Sequence, residues 1–239
     1  GCTNIIRGHK VCPHSWPYMA AIQKKYSAVT CGGTLVEKQW VLTAAHCQIN
    51  ESEHRVILGA HQASVAEKEQ QIFEIMKIFP HRQFDWPSGK NDIMLLKLND
   101  TAKLNQYVQC LPLPDSFEDV KPGTLCKVAG WGNTSSGKPS KYLREADLKI
   151  VDRKSCGKKY ANNPKITANM LCAIGKNRLF PSDACQGDSG GPLICGGQYR
   201  GIVSFGRKCG KGGIPGVYTR LTEKYIDWIK ETISRDRYP

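Results

Sequence analysis

Short apolar runs, many of them closed off by glycine, proline, asparagine or aspartate, recur along almost the whole chain. In the first half they are Tyr18 to Ile22, Gly33 to Val36, Trp40 to Thr43, Val56 to Leu58, Ile72 to Phe79 and Ile93 to Leu96, the last continued by Lys97 and Leu98. In the second half they are Thr124 to Gly132, Leu148 to Val151, Met170 to Ala173, Pro192 to Cys195, Tyr199 to Phe205 and Gly216 to Thr219. Runs of this length between turn formers predict antiparallel strands and hairpins rather than βαβ units. Only the end reads as helix. Beyond Thr222, a capping residue, Tyr225, Ile226, Ile229 and Ile233 fall on one helical face. Leu111-Pro112-Leu113-Pro114-Asp115 is stiff and poor in backbone donors, and reads as a connector. The pattern predicts an all-β chain of two barrel-like halves, about 5–110 and 115–220, closed by a helix over about 222–234.

Composition narrows the setting. A chain of 239 residues can bury a substantial core as one domain or two closely packed halves. No apolar run approaches the ~18 residues of a membrane span. With 23 Gly, 13 Pro and 11 Cys, the chain reads as a turn-rich, disulfide-bearing extracellular or granule protein. It opens with neither an initiator Met nor an apolar leader, as expected of a secreted protein whose signal peptide has been trimmed. Asn50-Glu51-Ser52, Asn99-Asp100-Thr101 and Asn133-Thr134-Ser135 are glycosylation sequons.

The formal net charge is +13. It is spread along the chain, with clusters at Lys24-Lys25, Lys158-Lys159, Lys176 to Arg178 and Arg207 to Lys211. Two readings stay open: a solvated cationic surface, or attraction to polyanions such as sulfated glycans. Neither zinc-finger spacing nor an aromatic-basic RNA signature accompanies the charge, so sequence-specific nucleic-acid binding is not expected.

Three stretches carry candidate chemistry. Asp183-Ala184-Cys185-Gln186-Gly187-Asp188-Ser189-Gly190-Gly191-Pro192 sets a serine among glycines, where backbone N–H groups and a hydroxyl can converge on one point. Such a serine needs a base, and the base needs an orienting acid. Thr43-Ala44-Ala45-His46-Cys47 ends an apolar strand with a histidine. Asn91-Asp92-Ile93-Met94-Leu95-Leu96 places a carboxylate at the mouth of another, where burial would demand a partner.

Taken together, T-A-A-H-C, N-D-I-M-L-L and G-D-S-G-G-P, with Gly130-Trp131-Gly132 between the last two, resemble the chymotrypsin-like, trypsin-family serine proteases from Ile5 to the C-terminal helix. The resemblance implies two six-stranded antiparallel barrels packed together, with residues 5–239 as the peptidase domain and 1–4 as residual signal or propeptide. It implies Ser189 as nucleophile, His46 as general base and then acid, and Asp92 as the group orienting His46. The Gly187 and Ser189 N–H groups would form the oxyanion hole. Asp183 would sit at the base of a primary pocket kept open by Gly206 and Gly216. With Ala184 beside it offering no hydroxyl to a lysine ammonium, cleavage after Arg ahead of Lys is expected. Ile5 would be the new N-terminus, its ammonium pairing with Asp188. Asn4 precedes it, so Thr3-Asn4 reads as a dipeptide removed by a dipeptidyl peptidase, and the full chain as a zymogen. Arg7 stands where the family usually has glycine. No cofactor or metal is implied, and protein substrates with Arg or Lys at the cleavage site are.

The same resemblance implies bridges Cys31–Cys47, Cys126–Cys195, Cys156–Cys172 and Cys185–Cys209. It leaves Cys2, assigned to the signal peptide, together with Cys12 and Cys110, for which a mutual or an intermolecular bridge stays open. Further stretches, among them Pro13-His14-Ser15-Trp16-Pro17-Tyr18-Met19 and Val56-Ile57-Leu58-Gly59-Ala60-His61, resemble the granzymes, the A type most and the K type next. That branch implies a tryptase of cytotoxic-lymphocyte granules held on acidic proteoglycan. Its covalent dimer is not implied, because Phe79 to Asp85 lacks the linking cysteine. A digestive or plasma protease of trypsin type, and a non-catalytic heparin-binding homologue, are the alternatives.

Overall fold

A computed structural model of the chain describes residues 9–10, 12–133, 137–175, 188–206 and 213–237. The first barrel is built from β2 (Met19–Lys24), β3 (Val29–Glu37), β4 (Trp40–Thr43), β5 (His54–Leu58), β6 (Gln71–Pro80) and β7 (Met94–Leu98). These close in the order β2-β3-β4-β7-β6-β5, all neighbours antiparallel. Strands β3, β4 and β7 are buried along most of their length, so both faces are apolar. Strand β6 alternates, with Phe73 and Ile75 inward and Ile72 and Met76 outward.

The second barrel comprises β8 (Leu125–Gly130), β9 (Arg144–Val151), β10 (Met170–Gly175), β11 (Pro192–Cys195), β12 (Gln198–Phe205) and β13 (Gly216–Arg220). Their order is β9-β10-β13-β12-β11-β8, and β8 pairs back onto β9 to close it. The short β1 (His9–Lys10) pairs with the start of β9, His9 opposite Glu145. The fold is thus two closed six-stranded antiparallel barrels, as the strand pattern and the resemblance led one to expect.

Helix α2 (Glu223–Arg237) follows the second barrel in sequence but packs on the first. Its predicted face, Tyr225, Ile226, Ile229 and Ile233, is buried in one cluster with Leu35, Trp40 and Leu96. Each such side chain contributes roughly 1.5–3 kcal/mol by leaving water. Lys97 Nζ meets Asp236 Oδ2 at 2.5 Å, and Arg237 pairs with Glu37, so both ion pairs tie the helix end to that barrel.

The expectation that only the end turns helical needs correction. Residues Arg153–Lys159 form a short helix, α1, in which Asp152 accepts from the Ser155 N–H at 2.8 Å. Two turns are too short for apolar periodicity to register, and the cap does the work of starting it. The Pro-rich connector does lie between the barrels. Just beyond it, the approach to the second barrel is pinned by arginines of α1 and β13: Arg153 makes a two-pronged contact with Asp119, and Arg220 donates to the Phe117 carbonyl at 2.7 Å.

Candidate active site

Strand β4 delivers the histidine. It ends at Thr43, Ala44 stays extended, and a single 3-10 turn, Ala45–Cys47, carries His46 out of the strand. Cys47 is bridged to Cys31 on β3, which clamps that turn to the barrel wall. Asp92 comes from the same barrel. The preceding Asn91 has φ +57°, and Asp92 itself is only 1% exposed.

A buried carboxylate is costly unless donors surround it. Three do. Asp92 Oδ1 accepts from the His46 backbone N–H at 2.9 Å; Oδ2 lies 2.6 Å from His46 Nδ1 and accepts from Ser204 Oγ at 2.6 Å. A carboxylate only accepts, so the imidazole proton belongs on Nδ1, and Nε2 is left with a free lone pair. Thr219 Oγ1 donates to the Asp92 carbonyl at 2.9 Å, fixing the backbone as well.

Ser204 was not among the residues the sequence singled out. The signal was there: a lone hydroxyl in the apolar strand Gly201-Ile202-Val203-Ser204-Phe205 must find a partner when buried.

The serine arrives from the second barrel. Ser189 is half-buried, and its carbonyl accepts from the Gly32 N–H at 2.8 Å, with Cys47 Sγ 3.8 Å away. That contact sets Ser189 against the segment holding His46. Gly190 makes it feasible: its φ is +86°, and a Cβ there would lie 2.1 Å from Thr43 Oγ1 and 2.3 Å from the Gly32 carbonyl. Asp188 accepts from the Gly132 N–H at 2.8 Å. A Cβ on Gly130 or Gly132 would fall within 2.0 and 2.5 Å of that carboxyl group, so the glycines flanking Trp131 make its berth.

Gly206 and Gly216 face one another, a Cβ on the former falling 3.7 Å from the Cα of the latter. Ile5, Asp183, Ala184, Gly187 and the Cys185–Cys209 pair lie outside the described residues. The bridges Cys31–Cys47, Cys126–Cys195 and Cys156–Cys172 are formed. A Cys12–Cys110 bridge is not: Cys12 is disulfide-bonded elsewhere, and Cys110 keeps a free thiol whose pKa is raised first by burial and then by Glu37. Of the sequons, Asn50 and Asn99 are exposed and Asn133 is half-buried.

Beside His46 opens a hollow of about 270 Å³, walled by Phe84, Trp86, Pro87, Gly89, Pro164 and Phe205. A tight turn, in which Ser88 donates to Asp85, presents Trp86 edge-on to the His46 ring at 6.4 Å. Gly89 lets the turn settle on Phe205, since a Cβ there would come within 2.7 Å of that ring.

Comparison with known proteins meets this geometry. The family model described as Trypsin matches residues 5–229. The chain belongs to the trypsin family. It is 45% identical to granzyme A of Bos taurus over 237 residues, 98% of this chain and 89% of that protein. Mast cell protease 3 of Ovis aries is 40% identical over 232 residues, covering 96% of this chain and 89% of its own. Trypsin-3 of Salmo salar is 41% identical over 237 residues, covering 96% and 93%. This trypsin-family chain is therefore a serine endopeptidase, similar to granzyme A and to mast cell protease, and its substrates are proteins. No helix among the described residues is long and apolar enough to cross a membrane.

Proposed function

We propose that Ser189, His46 and Asp92 form the catalytic set of this trypsin-family enzyme, and that it cleaves after arginine ahead of lysine. One observation carries the catalytic reading: the 2.6 Å contact of His46 Nδ1 with a carboxylate that two further donors hold in place. Ser189 Oγ attacks the scissile carbonyl while His46 Nε2 takes its proton. The tetrahedral oxyanion accepts from the Gly187 and Ser189 N–H groups. His46 then hands the proton to the departing amine, leaving an ester on Ser189. Water, deprotonated by His46, attacks that ester and regenerates the serine. Asp92 stays ionised throughout, stabilising the imidazolium that forms in each half-reaction.

Asp183 supplies the specificity. Six residues before Ser189 in the sequence, a carboxylate in the primary pocket pairs a guanidinium through two parallel hydrogen bonds, whereas an ammonium makes a point contact. Ala184 adds no hydroxyl to compensate. Exposure of the Ile5 amine brings an ammonium to Asp188 and sets the oxyanion loop. Removal of residues 1–4 should therefore switch on arginine-ester hydrolysis, with Ser189→Ala silent and matched lysine esters turned over more slowly. Absence of activity after that removal favours the non-catalytic heparin-binding homologue, and equal kcat/KM for the two esters removes the arginine preference.

The similarity to granzyme A and mast cell protease, together with the +13 charge, supports a secreted or granule-stored tryptase of cytotoxic lymphocytes retained on sulfated proteoglycan. Elution from heparin only at high salt separates this reading from a digestive or plasma protease with the same catalytic set.

A further inference from the structure

We propose that Tyr225 of the C-terminal helix is a positioning residue for the catalytic carboxylate, acting through Asn91; the inference rests on the catalytic roles proposed above. Asn91 immediately precedes Asp92 and holds φ +57°, a left-handed conformation that costs an L-residue free energy unless its surroundings enforce it. Both ends of its carboxamide are held. Oδ1 accepts from Tyr225 Oη at 2.7 Å, and Nδ2 donates to the Gln83 carbonyl at 2.9 Å. Its own carbonyl accepts from the Ile93 N–H at 2.9 Å, so the backbone wraps tightly around Asp92.

This turn decides where the Asp92 carboxylate points, because Ile93 beyond it is buried in the barrel core and cannot yield. Tyr225 is well suited to hold it. The ring is 2% exposed, sits in the cluster that glues α2 to the first barrel, and has His81 edge-on at 5.8 Å. Burial, and then the Asp92 charge, push the phenol up to about 12, so the hydroxyl remains a donor throughout the working range. A helix that joins no residue to the catalytic set thereby fixes the aim of one of its members. Catalytic constellations are sensitive to misplacements of about 1 Å.

Tyr225→Phe removes only the hydroxyl. In enzyme freed of residues 1–4 and titrated for active sites, we expect kcat per titrated site to fall roughly three- to ten-fold with KM unchanged. Asn91→Gly keeps the left-handed backbone but deletes the acceptor, so adding Tyr225→Phe to it should cause no further loss in kcat. Wild-type enzyme titrated alongside checks the catalytic reading itself, and its failure to titrate removes that reading. With wild type active, wild-type kcat in Tyr225→Phe despite a lowered Tm, or additive losses in the double variant, overturns the positioning role.

Discussion

Ser204 and Asp92 meet across the seam between the two barrels, Ser204 Oγ donating to Asp92 Oδ2 at 2.6 Å with both residues buried. Strand β12 thereby reaches from the second barrel to a carboxylate of the first, and the same oxygen contacts His46. A hydrogen bond to a charged group is worth about 1.5–3 kcal/mol. Ser204→Ala should therefore lower kcat by roughly one to two orders of magnitude with KM little changed. Steady-state kinetics on titrated enzyme checks this, and an undiminished kcat would mean that two donors suffice.

The Cys31–Cys47 bridge spans 16 residues and anchors the turn that carries His46. Loops near that size are worth about 3 kcal/mol in the loop-entropy model. Replacing both cysteines with alanine should lower Tm by several degrees in a thermal melt. It should also reduce kcat at temperatures where the variant remains folded.

Two glycines separate a clash from a merely awkward backbone. Gly190→Ala drives a methyl into Thr43 and the Gly32 carbonyl, so no folded, titratable enzyme should be recovered. Gly196 also has positive φ, +58°, but nothing lies within 4 Å of its absent Cβ. Gly196→Ala should cost about 1 kcal/mol and leave activity intact.

Trp86 is 57% exposed at the edge of the hollow beside His46. Truncation to alanine should lower kcat/KM for peptides with a bulky apolar residue shortly before the cleaved arginine. Single-residue arginine esters, which do not reach the hollow, should be hydrolysed as before. Equal losses on both would assign the tryptophan to stability or to His46 itself.

His81 packs between Tyr225 and Trp228, and burial, then Lys224, lower its pKa from the usual 6.5. The unfolded chain then takes up its proton first as pH falls. The resulting contribution to stability is present above about pH 6.5 and is lost on acidification through the folded-state value. Wild type should lose more Tm than His81→Gln between pH 7 and 5, and parallel curves would discount the histidine.

Much of this was legible in the residues, for reasons that differ from place to place. Trp40–Thr43 and Pro192–Cys195 have the bounds that their apolar content predicts, because each is a short buried run between turns. The β3 strand begins at Val29, earlier than the expected Gly33, because pairing with β2, Ile22 opposite Cys31 and Gln23 opposite Val29, carries it past the glycine pair. Strand β9 likewise begins at Arg144, where half-buried, polar positions carry no apolar signal. His46 and Asp92 are flagged by their place at the ends of apolar strands. Their closeness is not, because 46 residues separate them and only barrel closure brings them together. Thr219, Asn91 and Tyr225 stayed hidden for the same reason, since each acts through long-range contacts that no local pattern encodes, whereas the lone hydroxyl of Ser204 was legible but its partner was not.

The most direct measurement of the central claim is the site of covalent capture. Enzyme freed of residues 1–4 and treated with a fluorophosphonate should gain one phosphonyl group, mapped by peptide mass spectrometry to Ser189. Ser189→Ala should gain none, and His46→Ala should react far more slowly. A phosphonyl group on another residue, or none in wild type, would contradict the account.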